Sequence, residues 1–458
     1  MSQAAVTVDI LVGSSQDSFW NSVTAILKGY YPYQLKKFSD PSDMLDEDEA
    51  TFDPLLALVD GQAGFDVTNE WVQSTKMKYP KARVIVLHAF QQPLDFNVLR
   101  KNGCDEIMHI SFDREFISDM VLQLAPIEMT GDHIPITALM PVDLRDLDSE
   151  VEINFDVFVH LPANHRSVLI RKKGGLVEEK QLEKFHSLKQ QMYIRKTEMK
   201  AFFEYARQVL TLRNGQFPIS MTEKFHRTKK SIYEIMTQFF NNAPTDFQEG
   251  RIITEKCKGI IAELELCKDM NTDELAKEIF RYAGNSRSNY HDCICLAAYG
   301  AFFAQLLGWN AEKRENIAMA GLLHNIGLSQ MHPTTAEKDF KQYTPEEKDQ
   351  FHLYPDRSVI MVKSKKVPLN VETSEAIGQH RELCNGSGFP KKLNQQTMSD
   401  VSKLLSFAFR FHELTALQDK MQAATPLQAL ALLKENAVQG SGDVDLISAT
   451  QIFKKLKA

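Results

Sequence analysis

The sequence contains few cysteines and no large excess of charge. Its 458 residues include six cysteines, none of which lies in a CxxC pair or at a regular spacing. This scatter is typical of reduced thiols and does not indicate a disulfide framework. The formal net charge of −7 excludes a general attraction to nucleic acid or to an anionic membrane.

Long apolar runs are missing as well. No stretch approaches the roughly 18 apolar residues of a membrane span, and the opening residues, MSQAAVTVDILVG, lack the basic segment of a secretory signal. The sequence also has no internal repeat and no low-complexity tract. We therefore expect a cytoplasmic protein of roughly two to four domains, with no membrane insertion and no nucleic-acid partner.

The first 125 residues alternate between strand-like and helix-like patterns. Short apolar runs at residues 8–14, 54–60 and 82–89 suit buried parallel strands, and amphipathic segments separate them. This order predicts a doubly wound α/β domain over residues 1–125, whose ligands would lie at the carboxyl ends of the strands.

A linker that contains proline and glycine follows, and residues 126–200 then predict a small α+β domain. Residues 151–161 alternate strictly between apolar and polar side chains, as a half-buried strand does. Residues 166–175 suggest a second strand that ends in a glycine turn, and residues 178–188 suggest a short helix.

From about residue 198 onward, nearly the whole sequence has helical periodicity. One apolar stripe has the spacing of a packed helix and comprises Ile232, Ile235, Met236 and Phe239. Asn271 with Glu274 is typical of a capping box. The sequence thus predicts a multidomain protein, in which α/β and α+β domains precede an all-α domain at residues 201–458 with its core at about residues 271–440.

Four features of the helical region carry chemical information. They are His291 in SNYHDCICLAA, His324 with Asn325 in LLHNIG, TPEEKDQFHLYPDRS at residues 344–358, and HRELCNGSGFP at residues 380–390. In this order they resemble the motifs of the HD-GYP family, which are helical bacterial phosphodiesterases that open cyclic di-GMP at a centre of two or three metal ions. The resemblance spans about residues 285–435.

The resemblance implies a set of metal ligands, of which this sequence keeps three histidines: His291, His324 and His380. Asn325 stands where the family has the aspartate that bridges the metal ions, and Arg287 stands where it has a glutamate. Hydrolysis needs the bridging carboxylate, because both ions must lie close enough to activate one water and hold the phosphate. The comparison therefore implies a degenerate catalytic site at His324 and Asn325.

Further positions of the family's motifs also depart from the pattern. The family's lysine after Ile-Gly, two of its ligand histidines and its last ligand aspartate fall on Leu328, Tyr354, Arg381 and Phe409. His352 lies two residues before Tyr354, and the phosphate-binding stretch falls on residues 418–421, which read QDKM. We therefore expect no cofactor, with one alternative: the three histidines could hold a single divalent metal such as zinc. The favoured reading is that all three are ordinary buried histidines, each satisfied by a backbone carbonyl or water.

The glycine loop of the family's last motif is present and comprises Gly386, Ser387, Gly388, Phe389 and Pro390. The loop is either a turn that needs glycine or a contact for a ligand or partner, in which case Phe389 would be an exposed aromatic. Arg287 and Arg381 could contact a phosphate directly, since they stand where metal ligands stand in the family.

The first domain resembles the receiver domain of response regulators. Asp60 stands at the phosphoacceptor position, but the acidic pair that would hold Mg²⁺ falls on Ser14 and Ser15. The switch threonine or serine falls on His88, or on Ala89 if the register slips by one, and the family's Lys-Pro falls on residues 110–111. The resemblance implies a pseudoreceiver in which Asp60 is not phosphorylated.

The middle segment resembles small domains found between receivers and HD-GYP modules. Its basic edge is interpreted as a solvated strand end and comprises Arg166, Arg171, Lys172 and Lys173. We expect a bacterial signalling protein of the cyclic di-GMP pathway that binds proteins and does not catalyse. The alternatives are a residual phosphodiesterase and a cyclic di-GMP receptor without hydrolysis, and a homodimer stays open.

Overall fold

The computed structural model describes most of the chain and divides it into two compact units. The described residues are 8–27, 33–48, 52–89, 93–127, 134, 136–161, 166–187, 191–214, 220–241, 246–283, 288–416, 423–439 and 442–457. The first unit holds residues 1–88 and 92–227, and the second holds residues 89–91 and 228–458. None of the described helices is long and apolar enough to cross a membrane.

The first unit begins with a parallel sheet of five strands in the order β2-β1-β3-β4-β5. The strands are β1 (Val8–Gly13), β2 (Tyr33–Phe38), β3 (Leu56–Asp60), β4 (Arg83–His88) and β5 (Glu106–His109). The intervening helices are α1 (Asp17–Leu27), α2 (Pro41–Leu45), α3 (Phe65–Lys78), α4 (Phe96–Lys101) and α5 (Arg114–Leu124). Strand β3 is buried along its whole length, as expected when both faces of a parallel sheet are covered. The predicted doubly wound α/β fold is confirmed.

A separate antiparallel sheet follows, with the strand order β6-β9-β7-β8. Its elements are β6 (Leu139–Val142), β7 (Val157–Leu161), β8 (Arg166–Arg171), α6 (Glu179–Ser187) and β9 (Met192–Arg195). Helix α7 (Met199–Asn214) packs on the same core, where Phe202 makes an edge contact with the ring of Phe155 at 5.4 Å.

The strand predicted over residues 151–161 forms only in its second half, as β7. Before it, Ile153 makes a single bridge to Gly175. Asp156 explains the interruption, because its carboxylate accepts hydrogen bonds from the Lys173 backbone N–H at 2.9 Å and from Arg195 at 2.7 Å. Side-chain hydrogen bonds therefore replace the strand ladder at this point.

The secondary-structure elements named for the remaining described residues are helices, and the predicted all-α region is confirmed. The helices are α8 (Met221–Phe240), α9 (Phe247–Glu263), α10 (Thr272–Tyr282), α11 (Asn289–Leu306), α12 (Ala311–Leu323), α13 (Pro333–Ala336), α14 (Pro345–His352), α15 (Tyr354–Ser364), α16 (Val371–Gln379), α17 (Asp400–Thr415), α18 (Pro426–Gln439) and α19 (Leu446–Lys457). The predicted stripe of α8 is buried, and the predicted capping box of Asn271 and Glu274 begins α10. The predicted domain limits at residues 125 and 200 stay predictions.

Helix α11 is the central helix of the second unit. Sixteen of its eighteen residues are buried, and it packs against α12 and α17. Gly321 of α12 lies directly against the backbone of α11, since a Cβ atom at this position would be 2.5 Å from the Ala297 nitrogen. This close approach places His291, near the start of α11, and His324, at the end of α12, in the same region of the fold.

We expect Gly321→Ala to lower the free energy of unfolding by about 1–3 kcal/mol, because the added methyl group must push the two helices apart. Gly259→Ala is the matched control. Gly259 is also helical, but it is exposed and a Cβ atom there would meet nothing within 4 Å. It should gain about 0.5–1 kcal/mol from better helix propensity. Urea unfolding of both variants tests this, and equal effects would contradict the proposed close contact.

Candidate functional site

The HNIG turn follows directly after α12 and is fixed by backbone hydrogen bonds. His324 caps the helix, and its Nδ1–H donates to the Gly321 carbonyl at 2.8 Å. Because a carbonyl can only accept, this bond sets the tautomer of the ring. Ser358 holds the turn from α15, donating its hydroxyl to the His324 carbonyl at 2.8 Å and accepting the Gly327 N–H at 2.9 Å.

His380, at the end of α16, has both ring nitrogens occupied. Its Nδ1–H donates to the Ile377 carbonyl at 2.7 Å, so Nε2 carries the lone pair. That lone pair accepts the hydroxyl proton of Tyr354 at 2.7 Å. The ring lies edge-on to His324 with 4.9 Å between centroids. Burial lowers the pKa of His380 well below its ordinary value, and the adjacent His324 and Arg381 lower it further, so the ring is neutral.

Asn325 is held by two hydrogen bonds that use both ends of its amide. Its Oδ1 accepts from the Cys293 thiol at 3.1 Å, and its Nδ2 donates to the Asn289 carbonyl at 2.7 Å. An aspartate could not make the second bond, because a carboxylate has no proton to donate to a carbonyl. The local structure is therefore complementary to asparagine.

His291 belongs to a second buried group. Its Nε2 lies 3.2 Å from the Cys295 sulfur, and its ring centroid lies 6.4 Å from that of His412. Burial lowers the pKa of His291 to about 3, and the positive charge of Lys229 and the His412 ring add to this effect. His412 in turn donates its Nε2–H to Asp292 at 2.8 Å. Asp292 and His412 were not among the predicted site residues, although His412 lies one helical turn after Phe409.

Phe409 and Arg381 occupy two positions where the family has metal ligands. The Phe409 ring packs against His324 and His380, with centroid distances of 6.1 and 5.6 Å. The Arg381 guanidinium lies 4.2 Å above that ring and pairs with Glu413 at 3.1 Å. The histidines therefore lie beside the apolar ring of Phe409 and beside Arg381, a cation that is already paired with Glu413.

The glycine loop packs closely against the backbone of the residues that precede it in the chain. Gly388 has no room for a Cβ atom beside the backbone of Glu382 and Leu383, which explains the glycine. Phe389 is half-buried, and its ring stacks on His352 with 4.3 Å between centroids and 26° between planes. The expectation of a freely exposed Phe389 is therefore wrong, because His352 covers one face of the ring.

The structure brings most of the predicted site residues together. His324, His380, Arg381 and Phe389 lie in one connected group, and His291 lies in the group with His412. Within the described ranges, no three histidine, cysteine, aspartate or glutamate side chains are grouped so that they could hold a metal ion. Arg287 and the stretch at 418–421 lie outside the described residues. The described side chains do not fit a two-metal centre, since the bridging position is a neutral amide.

The receiver-like site at the end of β3 is closed by hydrogen bonds. Asp60 is buried, and its carboxylate accepts the Ser14 hydroxyl at 2.6 Å and the Gln62 N–H at 2.8 Å. Burial raises the pKa of Asp60, and the hydrogen bonds from Ser14 and Gln62 oppose this rise. His88, at the switch position, is buried against the His109 ring at 5.2 Å. Ser14, which falls at a position of the acidic pair in the resemblance, donates its hydroxyl to Asp60.

Comparison with known proteins identifies the helical region. Residues 269–446 match the family model of the HD domain, so this part of the chain is an HD domain. No curated protein matches the sequence.

Two of the solved structures that match the chain are as follows. One is Bd1817, a HDG"Y"P protein from Bdellovibrio bacteriovorus, with 18% identity over 70% of this chain and 100% of that chain and a TM-score of 0.38. The other is the signal receiver domain of an HD domain-containing protein from Pseudomonas fluorescens Pf-5, with 17% identity over 26% of this chain and 94% of that chain and a TM-score of 0.22.

We expect Asp60 to remain unmodified when the protein is incubated with acetyl phosphate and Mg²⁺. The Ser14 hydroxyl supplies no negative charge to hold the ion, so the charge that develops on the transferring phosphoryl group is not neutralised. Intact-mass measurement checks this, with Asp60→Ala as the control. A phosphate adduct that is present in the wild type and absent in the control would contradict the expectation.

The buried neutral His380 should make the protein less stable in acid. Because its folded pKa is lowered, the unfolded chain takes up a proton below about pH 6.5 that the folded chain does not, so this histidine removes stability as the pH falls. The slope is about 1.4 kcal/mol per pH unit. Urea unfolding between about pH 7 and pH 5 should therefore show a shallower loss of stability for His380→Gln than for the wild type. Identical slopes would contradict this assignment.

Proposed function

We propose that this chain is a bacterial signalling protein of the cyclic di-GMP pathway, whose HD domain is a degenerate HD-GYP domain that binds proteins and does not hydrolyse the nucleotide. The observation that carries the proposal is the 2.7 Å hydrogen bond from the Tyr354 hydroxyl to Nε2 of His380. This bond occupies the nitrogen that a metal ion would need, since Nδ1 already donates to Ile377.

Asn325, which stands where the HD-GYP family has the bridging carboxylate, supports the same proposal. The Asn325 amide is neutral, and both of its ends are engaged by Cys293 and Asn289. Without a bridging negative charge, two divalent ions would repel each other at the distance that hydrolysis requires. Asn325 is therefore a neutral, hydrogen-bonded residue of the protein core and does not supply the charge that a two-metal centre needs.

The two nucleotide alternatives receive less support from the site. A residual phosphodiesterase would need His291, His324 and His380 on one ion, whereas Nε2 of His291 contacts the Cys295 sulfur. Of the two arginines proposed for a nucleotide receptor, the described one, Arg381, is not free, because it pairs with Glu413 and lies over the Phe409 ring. Protein contacts are the use of the glycine loop and the receiver-like domain that these observations support best.

We expect the purified protein to carry well under one metal ion per chain and to leave cyclic di-GMP intact in the presence of added iron or manganese. Elemental analysis and chromatography of the nucleotide measure both properties on one sample. Turnover at the rate of a working enzyme, or about two ions per chain, would support the phosphodiesterase alternative instead.

Restoring one carboxylate should not restore activity. Asn325→Asp removes the hydrogen bond to the Asn289 carbonyl and buries a charge, so it should cost about 1–3 kcal/mol of stability without producing hydrolysis. Asn325→Ala is the matched control for the loss of the amide alone. If Asn325→Asp gains metal-dependent hydrolysis while Asn325→Ala does not, the remaining ligands are functional and the proposal is wrong.

A further inference from the structure

Lys392, just after the glycine loop, has an unusual backbone conformation. It is exposed and has a φ of +55°, a region that strains any residue with a Cβ atom and that glycine or asparagine adopts more easily. Strained positions of this kind are common where a side chain has a role that outweighs the strain. The lysine side chain is therefore the feature that needs an explanation.

The backbone on both sides of Lys392 is held by one buried carboxylate. Glu382 is fully buried and accepts the N–H of Lys391 at 2.6 Å and the N–H of Leu393 at 2.9 Å. Since both neighbours are fixed, Lys392 cannot relax its backbone without breaking one of these bonds. The result is an ammonium group presented to solvent from a rigid turn.

Other cations surround the adjacent His352. Burial lowers the pKa of His352, the positive charges of Arg381, Lys392 and Lys348 lower it further, and the carboxylate of Asp349 opposes them. Among the residues that the structure describes, neither Lys348 nor Lys392 forms an ion pair with a carboxylate, and the Lys348 ammonium lies 6.0 Å from the centroid of the Phe340 ring. Lys348 lies one helical turn before His352 on α14, and Lys392 lies three residues after Phe389, whose ring stacks on His352. Two ammonium groups without a carboxylate partner therefore lie near one histidine, in a protein whose overall charge is −7.

The same surface contains a flat aromatic group. His352 and Phe389 stack at 4.3 Å, and the Arg381 guanidinium lies 5.0 Å from the Phe389 ring on the loop. Both rings are only partly buried. Aromatic rings at the centre with cations at the edge are the chemistry of interface hot spots.

We propose that Lys392, Lys348, His352 and Phe389 form a docking surface for an acidic segment of a partner protein. The proposal rests on the proposed function, in which the domain acts by binding proteins. Charge complementarity selects the partner, because the two unpaired ammonium groups can pair with aspartate or glutamate side chains. A phosphate ligand is less suited, since the one guanidinium of this surface, Arg381, is already paired with Glu413.

The first experiment measures binding of a fluorescein-labelled decapeptide of aspartate and glutamate with one central tyrosine, by fluorescence anisotropy at low salt. An analogue with asparagine and glutamine in place of the acids is the probe control. We expect the acidic peptide to bind and the neutral peptide to bind at least about tenfold more weakly. Lys392→Glu should weaken binding of the acidic peptide about tenfold or more.

Lys366 provides a matched control within the same chain. It is also an exposed lysine with a positive φ, +52°, but its ammonium lies over Phe247 at 5.0 Å and not beside the glycine loop. Lys366→Glu should leave peptide binding unchanged. Equal losses in the two charge-reversal variants would show a general effect of charge and overturn the proposal.

Glycine substitutions separate the role of the side chain from that of the fold. Lys392→Gly and Lys366→Gly should both raise the melting temperature, because glycine relieves the strained φ. Only Lys392→Gly should weaken peptide binding. If Lys392→Gly binds the peptide as well as the wild type does, or if cyclic di-GMP displaces the peptide from the wild type, the docking surface is wrong. Hydrolysis of cyclic di-GMP by a wild type that still shows Lys392-dependent binding would overturn the proposed function and leave the docking surface standing.

Discussion

The close approach of α11 and α12 at Gly321 determines what the site can contain. The two helices run antiparallel, so a step of four residues forward on α12 corresponds to four residues back on α11. Gly321 lies against Ala297, and Asn325 accordingly lies against Cys293, at the distance of a hydrogen bond. A larger residue at Gly321 would separate both pairs at once. The hydrogen bonds of Asn325 thus follow from the backbone contact one turn earlier.

Around this contact, neutral hydrogen bonds and apolar packing replace the charges of a metal centre. Tyr354 donates to His380, and Phe409 packs against the same ring and against His324. Each of these groups satisfies a buried histidine without adding charge, which a low-dielectric interior favours. Arg381, a cation beside them, is balanced by Glu413. The second unit can therefore bury its histidines without a metal ion to pair with them.

The helices and the parallel sheet were predictable because their signals are local. Periodicity locates α8, and the capping box of Asn271 and Glu274 marks the start of α10. The half-strand before β7 was predicted wrongly, because alternation cannot show that Asp156 bonds to Lys173 and Arg195.

The contacts that define the site were not predictable from local pattern. Tyr354 meets His380 across 26 residues, and Asp292 meets His412 across 120 residues. The resemblance identified positions that had lost a ligand, but not what the new side chains do there. At both candidate sites a neutral side chain donates a hydrogen bond to the central oxygen. The Ser14 hydroxyl donates to Asp60, and the Cys293 thiol donates to Asn325. A donated proton satisfies an oxygen lone pair that could otherwise bind a cation, and in the described structure each of these two oxygens already has such a donor.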